Sequence, residues 1–189
     1  MAHLSRPPSW PVNAAETGGT RTHITTVTGA CHTKPTPSLM LLAVDLGLRT
    51  GLATFDRGGV LVAYRSQHYG TRGALRRALP ALLTPETTAL AVEGGGDIEL
   101  LWRREAVRRG LVYVPVHAHA WREALLLPRE RRSGADVKTT AIRLARQVIA
   151  GSPAPAPTSL TDDAAEAVLL GLWACHRLGW RDTLPTLRR

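Results

Sequence analysis

From Met40 onward the chain alternates short apolar runs with turn chemistry and then with amphipathic stretches. Residues 41–46 form an apolar run that holds Asp45, residues 51–55 a second run and 60–64 a third, with Asp56-Arg57-Gly58-Gly59 between the last two. Runs this short, separated by Asp and Gly, predict an antiparallel three-strand start. Residues 73–83 predict a helix closed before Pro85, and 88–93 a buried strand. The basic amphipathic stretch 98–109 predicts a helix stopped by Gly110, followed by a strand over 111–116. After a loop region containing Trp121, helices are expected at about 136–150 and 161–177, separated by a Pro/Ser linker at 151–159. Thr161 is placed to cap the last helix, and Asp162 and Asp163 favour its positive end. The pattern is that of an α/β domain with a mixed five-stranded sheet flanked by helices.

Residues 1–39 follow neither a period of two nor one of 3.6 and carry Pro7, Pro8, Pro11, Pro35 and Pro37. They are expected to be a disordered leader or, since Met40 stands directly before the first strand, a mis-assigned start, leaving 40–189 as the folded domain. A secretory signal would need a basic start and an unbroken apolar core, and neither is present.

Charge narrows the partners. The chain holds 24 Lys plus Arg against 15 Asp plus Glu, for a net charge of +9 and a pI near 10.9. Without Arg6, Arg21, Lys34 and Glu16 of the leader, the charge is still +7. An excess of this size points to a polyanion, with nucleic acid first, although an Arg-rich composition also arises from mutational bias. A length of 189 residues with 44% apolar content suits one compact domain. Two cysteines, Cys31 and Cys175, indicate no disulfide framework and fit a reducing compartment. With no run of 18 uncharged apolar residues, a soluble, cytoplasmic and nucleoid-associated protein is expected; an organelle remains open because of the leader.

Against this basic background, four acids stand out. Asp45 sits in LLAVDLGLRTGLATFD, Glu93 in LAVEGGG, and Asp163 and Glu166 lie in TDDAAEAVLLGLW. An acid within an apolar strand is costly unless it is used. If the first and fourth strands are parallel neighbours, Asp45 and Glu93 project at one edge, and Asp163 and Glu166, three apart on a helix, share a face. Hard oxygen donors gathered in this way suit Mg²⁺ or Mn²⁺. Two such ions about 4 Å apart can activate water and stabilise the leaving oxygen of an in-line displacement. The ordinary alternatives are a turn-initiating Asp and first-turn helix acids that complement the dipole. His117-Ala-His119 has strand spacing for two ligands but lacks a third, so a structural or phosphate-contacting role is expected there.

DLGLRTGLA beginning at Asp45, the apolar strand ending in Glu93, and DAAEA at 163–167 together resemble the three motifs of the RuvC-type Holliday junction resolvases, on the RNase H-like fold. The resemblance runs from about Met40 to Leu178. It implies a homodimeric, magnesium-dependent endonuclease, with two ions per site, that nicks two strands of a four-way DNA junction symmetrically and leaves 5′-phosphate and 3′-hydroxyl ends. By motif, Asp45, Glu93, Asp163 and Glu166 fall on the family's catalytic metal ligands. GADVKTTA (134–141) resembles the segment that supplies a basic contact to the scissile strand, which points to Lys138. Arg103, Arg104, Arg131 and Arg132 lie on segments where a phosphate backbone would run.

Two departures stand beside the resemblance. The last acid is Glu166, closer to the chloroplast resolvase branch than to the bacterial one. Gly94-Gly95-Gly96 follows Glu93 where bacterial members often carry an aromatic, a place that Trp102 or Trp121 could take over. The alternatives are a YqgF-like nuclease acting on RNA or other branched DNA, and a non-catalytic nucleic-acid-binding domain. DLGLRTGLA also looks like the phosphate turn of actin-type ATPases, but about 150 folded residues are too few for their two lobes.

Overall fold

A computed structural model describes residues 39–47 and 49–185. The chain falls into two units, Met1–Lys34 and Pro35–Arg189, and the described residues all belong to the second. The expected leader, apart from Leu39, therefore lies outside the described residues.

Three strands, β1 (Met40–Asp45), β2 (Arg49–Asp56) and β3 (Leu61–His68), form the antiparallel start that the turn residues predicted. Gly59 takes a φ of 68° in the turn between β2 and β3, a left-handed conformation that glycine adopts without a Cβ penalty. Helix α1 (Arg72–Leu82) leads to β4 (Thr87–Glu93), which pairs parallel with β1. Helix α2 (Gly96–Arg109) ends at Gly110, φ 67°, and returns the chain to β5 (Val112–Val116), parallel to β4. The order β3-β2-β1-β4-β5 makes the mixed five-stranded sheet.

Side-chain alternation along the strands divides the core. Leu41, Ala43, Ala53, Phe55, Ala89, Ala91 and Val116 point to one face, where α3 (Ala118–Leu125), α4 (Gly134–Ala150) and α5 (Asp162–Arg177) cover them. Leu42, Val44, Leu52, Leu90 and Val92 point to the other face and pack against Leu75 and Leu79 of α1 and Trp102 and Ala106 of α2. Helix α5 is buried along most of its length, and Gly171 lets it approach the sheet closely: a Cβ there would stand 2.2 Å from the Phe55 ring.

The expectations need four corrections. The segment around Trp121, expected as a loop, forms helix α3 and then a 3₁₀ turn over Pro128–Arg131. Its eight residues are too few for a clear period, and Trp121 and Leu125 at i and i+4 are its only buried pair. Strand β3 runs on to His68 rather than stopping at 64, because the polar residues Arg65, Ser66 and Gln67 pair with β2 although they offer no apolar alternation. Thr161 occupies the cap position of α5, but its hydroxyl makes no capping bond. His117 and His119 lie at the start of α3, so strand spacing does not apply to them.

Candidate metal centre

A single rung of the sheet collects most of the chemistry. Ser66 pairs with Gly51, Gly51 with Asp45, Asp45 with Glu93, and Glu93 with Val116, one residue from each strand in turn. Registered neighbours point to the same face, so Ser66, Asp45 and Glu93 all rise toward the helices that cover the larger core. The parallel pairing expected of β1 and β4 is what sets the two strand acids side by side.

Gly51 sits in the middle of this rung, beneath the first turn of α5. A Cβ at residue 51 would stand 1.9 Å from the carbonyl oxygen of Asp163, so the absence of a side chain is what lets the helix start above the strand acids. Gly51→Ala is expected to push the first turn of α5 off the sheet. The overpacking should cost roughly 1–3 kcal/mol and weaken divalent-ion binding that needs Glu166 beside the strand acids. Thermal melts and a Mn²⁺ titration of the same preparation check both, and an unchanged variant would show that α5 does not need this approach.

Through this approach Glu166 reaches the strand acids. Asp45, Glu93 and Glu166 each place a carboxylate oxygen within 4.8 Å of the other two. Two oxygens that share one ion at ~2.0–2.6 Å stand no more than about 4–5 Å apart, so the three fit a single hard divalent cation. Asp163 lies just outside this group. Its Oδ2 accepts a hydrogen bond from the Ser66 hydroxyl, while its Oδ1 is buried with no partner. A buried carboxylate oxygen without a protein donor is left for a water or an ion to satisfy.

Crowding shows in the electrostatics. The Asp45 carboxyl is pushed up to about 8, first by burial and then by the charges of Glu166, Glu93 and Asp163. Its carboxylate has no hydrogen bond to another described side chain. Glu93 is also raised by burial, and the Trp121 indole N–H, which donates to its carboxylate, and the Arg122 guanidinium hold it partly down.

Arg122 is the counter-charge. Its Nη2 lies 2.7 Å from Glu166 and 3.4 Å from Glu93, and its guanidinium stands 5.2 Å from the centre of the Trp121 ring. Neither this arginine nor Ser66 was among the sequence candidates. The available signal was positional: strand β5 ends at the same edge as Glu93, so a basic residue on the next short helix falls beside the acids.

The other candidates lie farther out. Lys138 is exposed on α4 and pairs with Asp162 at 2.5 Å; that contact first, and the charges of Glu166 and Asp45 after it, raise its pKa. Arg103 and Arg104 are exposed on α2, across the sheet from α5. Arg131 pairs with Glu123 at 3.5 Å, and Arg132 is exposed just after the 3₁₀ turn. Trp102 and Trp121 are both fully buried, which removes them as stacking platforms for an opened junction. Trp121 instead packs in the core and orients Glu93.

At the sequence level, no family model and no curated protein matches the chain. Comparison of the folds does find matches. T. thermophilus RuvC, solved in complex with a Holliday junction substrate, superposes with a TM-score of 0.50 at 16% identity, covering 75% of this chain and 97% of that one. The Fowlpox virus resolvase, solved with substrate Holliday junction DNA, gives a TM-score of 0.52 at 16% identity, over 72% of this chain and 99% of that one. The chain has the RNase H-like fold of RuvC. A domain of this fold thus carries, at one edge of its central strands, a buried acidic cluster that could hold a metal. No helix among the described residues is long and apolar enough to cross a membrane.

Proposed function

We propose that residues 40–189 form a magnesium-dependent endonuclease that resolves four-way DNA junctions by phosphodiester hydrolysis. The observation that carries the reading is the convergence of Asp45, Glu93 and Glu166 within 4.8 Å of one another, on a fold shared with two resolvases solved with junction DNA. Asp45, Glu93 and Glu166 hold one divalent ion, and Asp163, through its free Oδ1, serves a second. The ions supply positive charge to the reacting phosphoryl group and its leaving oxygen. Trp121 and Arg122 orient Glu93 and Glu166, and Ser66 orients Asp163, so the donors are set before substrate arrives. Lys138, together with Arg131 and Arg132, contacts the phosphate backbone on this side of the sheet, while Arg103 and Arg104 serve DNA on the other.

A symmetric pair of nicks requires two sites, and a homodimer provides them. Support for one comes from α2, where Leu100 and Val107 are exposed, Val107 by 73%. Seven residues apart, they fall on one stripe of the helix.

The test is incubation of the full chain with labelled four-way, flap and linear duplex DNA and with single-stranded RNA, with and without Mg²⁺. Paired symmetric nicks confined to the junction, dependent on the metal, are the expected result. Cutting of RNA or flaps in place of the junction would keep the metal chemistry and reject the substrate. Binding without cutting would reject the enzyme.

A further inference from the structure

Helices α1 and α2 lie on the face of the sheet opposite α5, and both start at the edge that holds the acids: β3 ends there beside Arg49, and α2 follows Glu93 directly. Their first turns are tied by Arg72 and Asp97, 2.7 Å apart. From this tie a groove of about 650 Å³ runs between the helices, walled by Arg72 and Arg76 on one side and by Arg104 and Arg108 on the other, with Leu79 and Leu101 in its floor. Its size is that of a ligand site, ~300–1,000 Å³, but its walls are cationic where such sites are mostly apolar.

Of the four wall arginines two are ion-paired, Arg72 with Asp97 and Arg108 with Glu105, and two are not. Glu105, the acid that lines it, is shared by Arg108 at 2.5 Å and Arg109 at 2.7 Å, and so is already neutralised. Arg76 and Arg104 have no carboxylate partner among the described residues. Arginines four apart on each helix, 72 with 76 and 104 with 108, rise by ~6 Å per step. Cations stepped along an open groove suit a chain of phosphates better than a single anion.

We propose that the α1–α2 groove is a second nucleic-acid site, taking the phosphodiester backbone of a strand that leaves the catalytic edge and passes to the far face of the sheet. This rests on the nuclease reading only in taking the polyanion to be nucleic acid. The groove is distinct from the apolar stripe of α2: at 100° per residue, Leu101, Arg104 and Arg108 face about a quarter-turn away from Leu100 and Val107.

The test uses full-length Asp45→Asn protein, in which cleavage is expected to be lost, and a fluorescent four-way junction titrated at several salt concentrations in chelator. Adding Arg76→Ala with Arg104→Ala should weaken binding severalfold and lower the slope of log affinity against log salt by about 2, one for each lost phosphate contact. The same charge change on the opposite face, Arg146→Ala with Arg177→Ala, should leave the slope within half of that. Equal binding by the groove variant and its parent would overturn the groove alone, as would an equal loss in the opposite-face control. A change in sedimentation mass that accounts for the loss would overturn it in favour of a contact between two copies. A parent that binds neither junction nor single strand would overturn the nuclease reading, and the groove with it.

Discussion

Asp45→Asn should abolish junction cleavage and at the same time make the metal-free protein more stable. The two effects have one cause. Asp45 sits on the central rung with Glu93 beside it and Glu166 above, its charge opposed first by burial and then by Glu166, Glu93 and Asp163. With a metal bound, that charge is what the site needs, and losing a single preorganised electrostatic partner of a transition state costs roughly 10²–10³ in rate, here a floor because the ion itself is weakened. Without metal the same charge is a burden. Asn keeps the shape and removes it. An Asp45→Asn protein that melts no higher than wild type in chelator would mean that the Asp45 charge is neither buried nor crowded by the other acids in the folded chain, and the reading of a preformed cation site would fail.

The pH dependence of this difference has a definite sign. The folded-state carboxyl of Asp45 titrates at about 8, against 3.8 for the free side chain. Between those values the folded chain holds a proton that the unfolded chain has released, so stability falls as pH rises, by up to about 1.4 kcal/mol per pH unit. The contribution is complete below pH ~4 and lost once pH passes about 8. In chelator, therefore, the advantage of Asp45→Asn should be near zero at the acid end, grow across this window and level off above it. Saturating Mg²⁺ binds the ionised form and should flatten or reverse the wild-type trend. Denaturant melts at a series of pH values, with chelator and with metal, read both slopes.

How much of this was legible beforehand depended on the kind of signal. Asp45 and Glu93 announce themselves because an acid closing a continuous apolar run is costly unless used, but the sequence placed both at one sheet edge only if their strands pair in parallel, a pairing that the fold supplies. Asp163 and Glu166 were readable from their spacing, but their unequal roles were not: Glu166 joins the strand acids, whereas Asp163 turns to Ser66. That division depends on how closely α5 approaches Gly51, a packing distance that no local pattern encodes. Ser66 was hidden for a related reason, since a serine in a polar stretch of an edge strand looks like solvent-facing surface until its rung is known. The tryptophans misled in the opposite direction. Their size and position suggested platforms for DNA bases, yet Trp102 fills the smaller core and Trp121 the larger, because a large ring on a half-buried helix gains most from burial.

Arg122→Gln should have the largest effect on stability of any single change at the site, and metal should repair it. The guanidinium lies 2.7 Å from Glu166 and 3.4 Å from Glu93, and both carboxylates are nearly enclosed. Removing one partner of such a pair leaves charge buried without compensation, which typically costs ~3–5 kcal/mol. Arg122 retains 27% exposure, so water relieves part of this and the low end, about 3 kcal/mol, is expected. For a domain of this size that loss lowers the melting temperature by roughly 6–12 °C. Glutamine can still donate a hydrogen bond but brings no charge, so the carboxylates become freer to accept a divalent ion. Mn²⁺ at a hundred times its dissociation constant returns about 2.7 kcal/mol. The variant should bind Mn²⁺ more tightly than wild type in a calorimetric titration and gain more in melting temperature from it, while Arg122→Lys should fall between the two. The competing account makes Arg122 a purely structural clamp between α3 and α5, and it predicts a variant whose deficit relative to wild type is the same with metal as without. Equal metal gains in wild type and variant would favour that account and remove Arg122 from the electrostatics of the site.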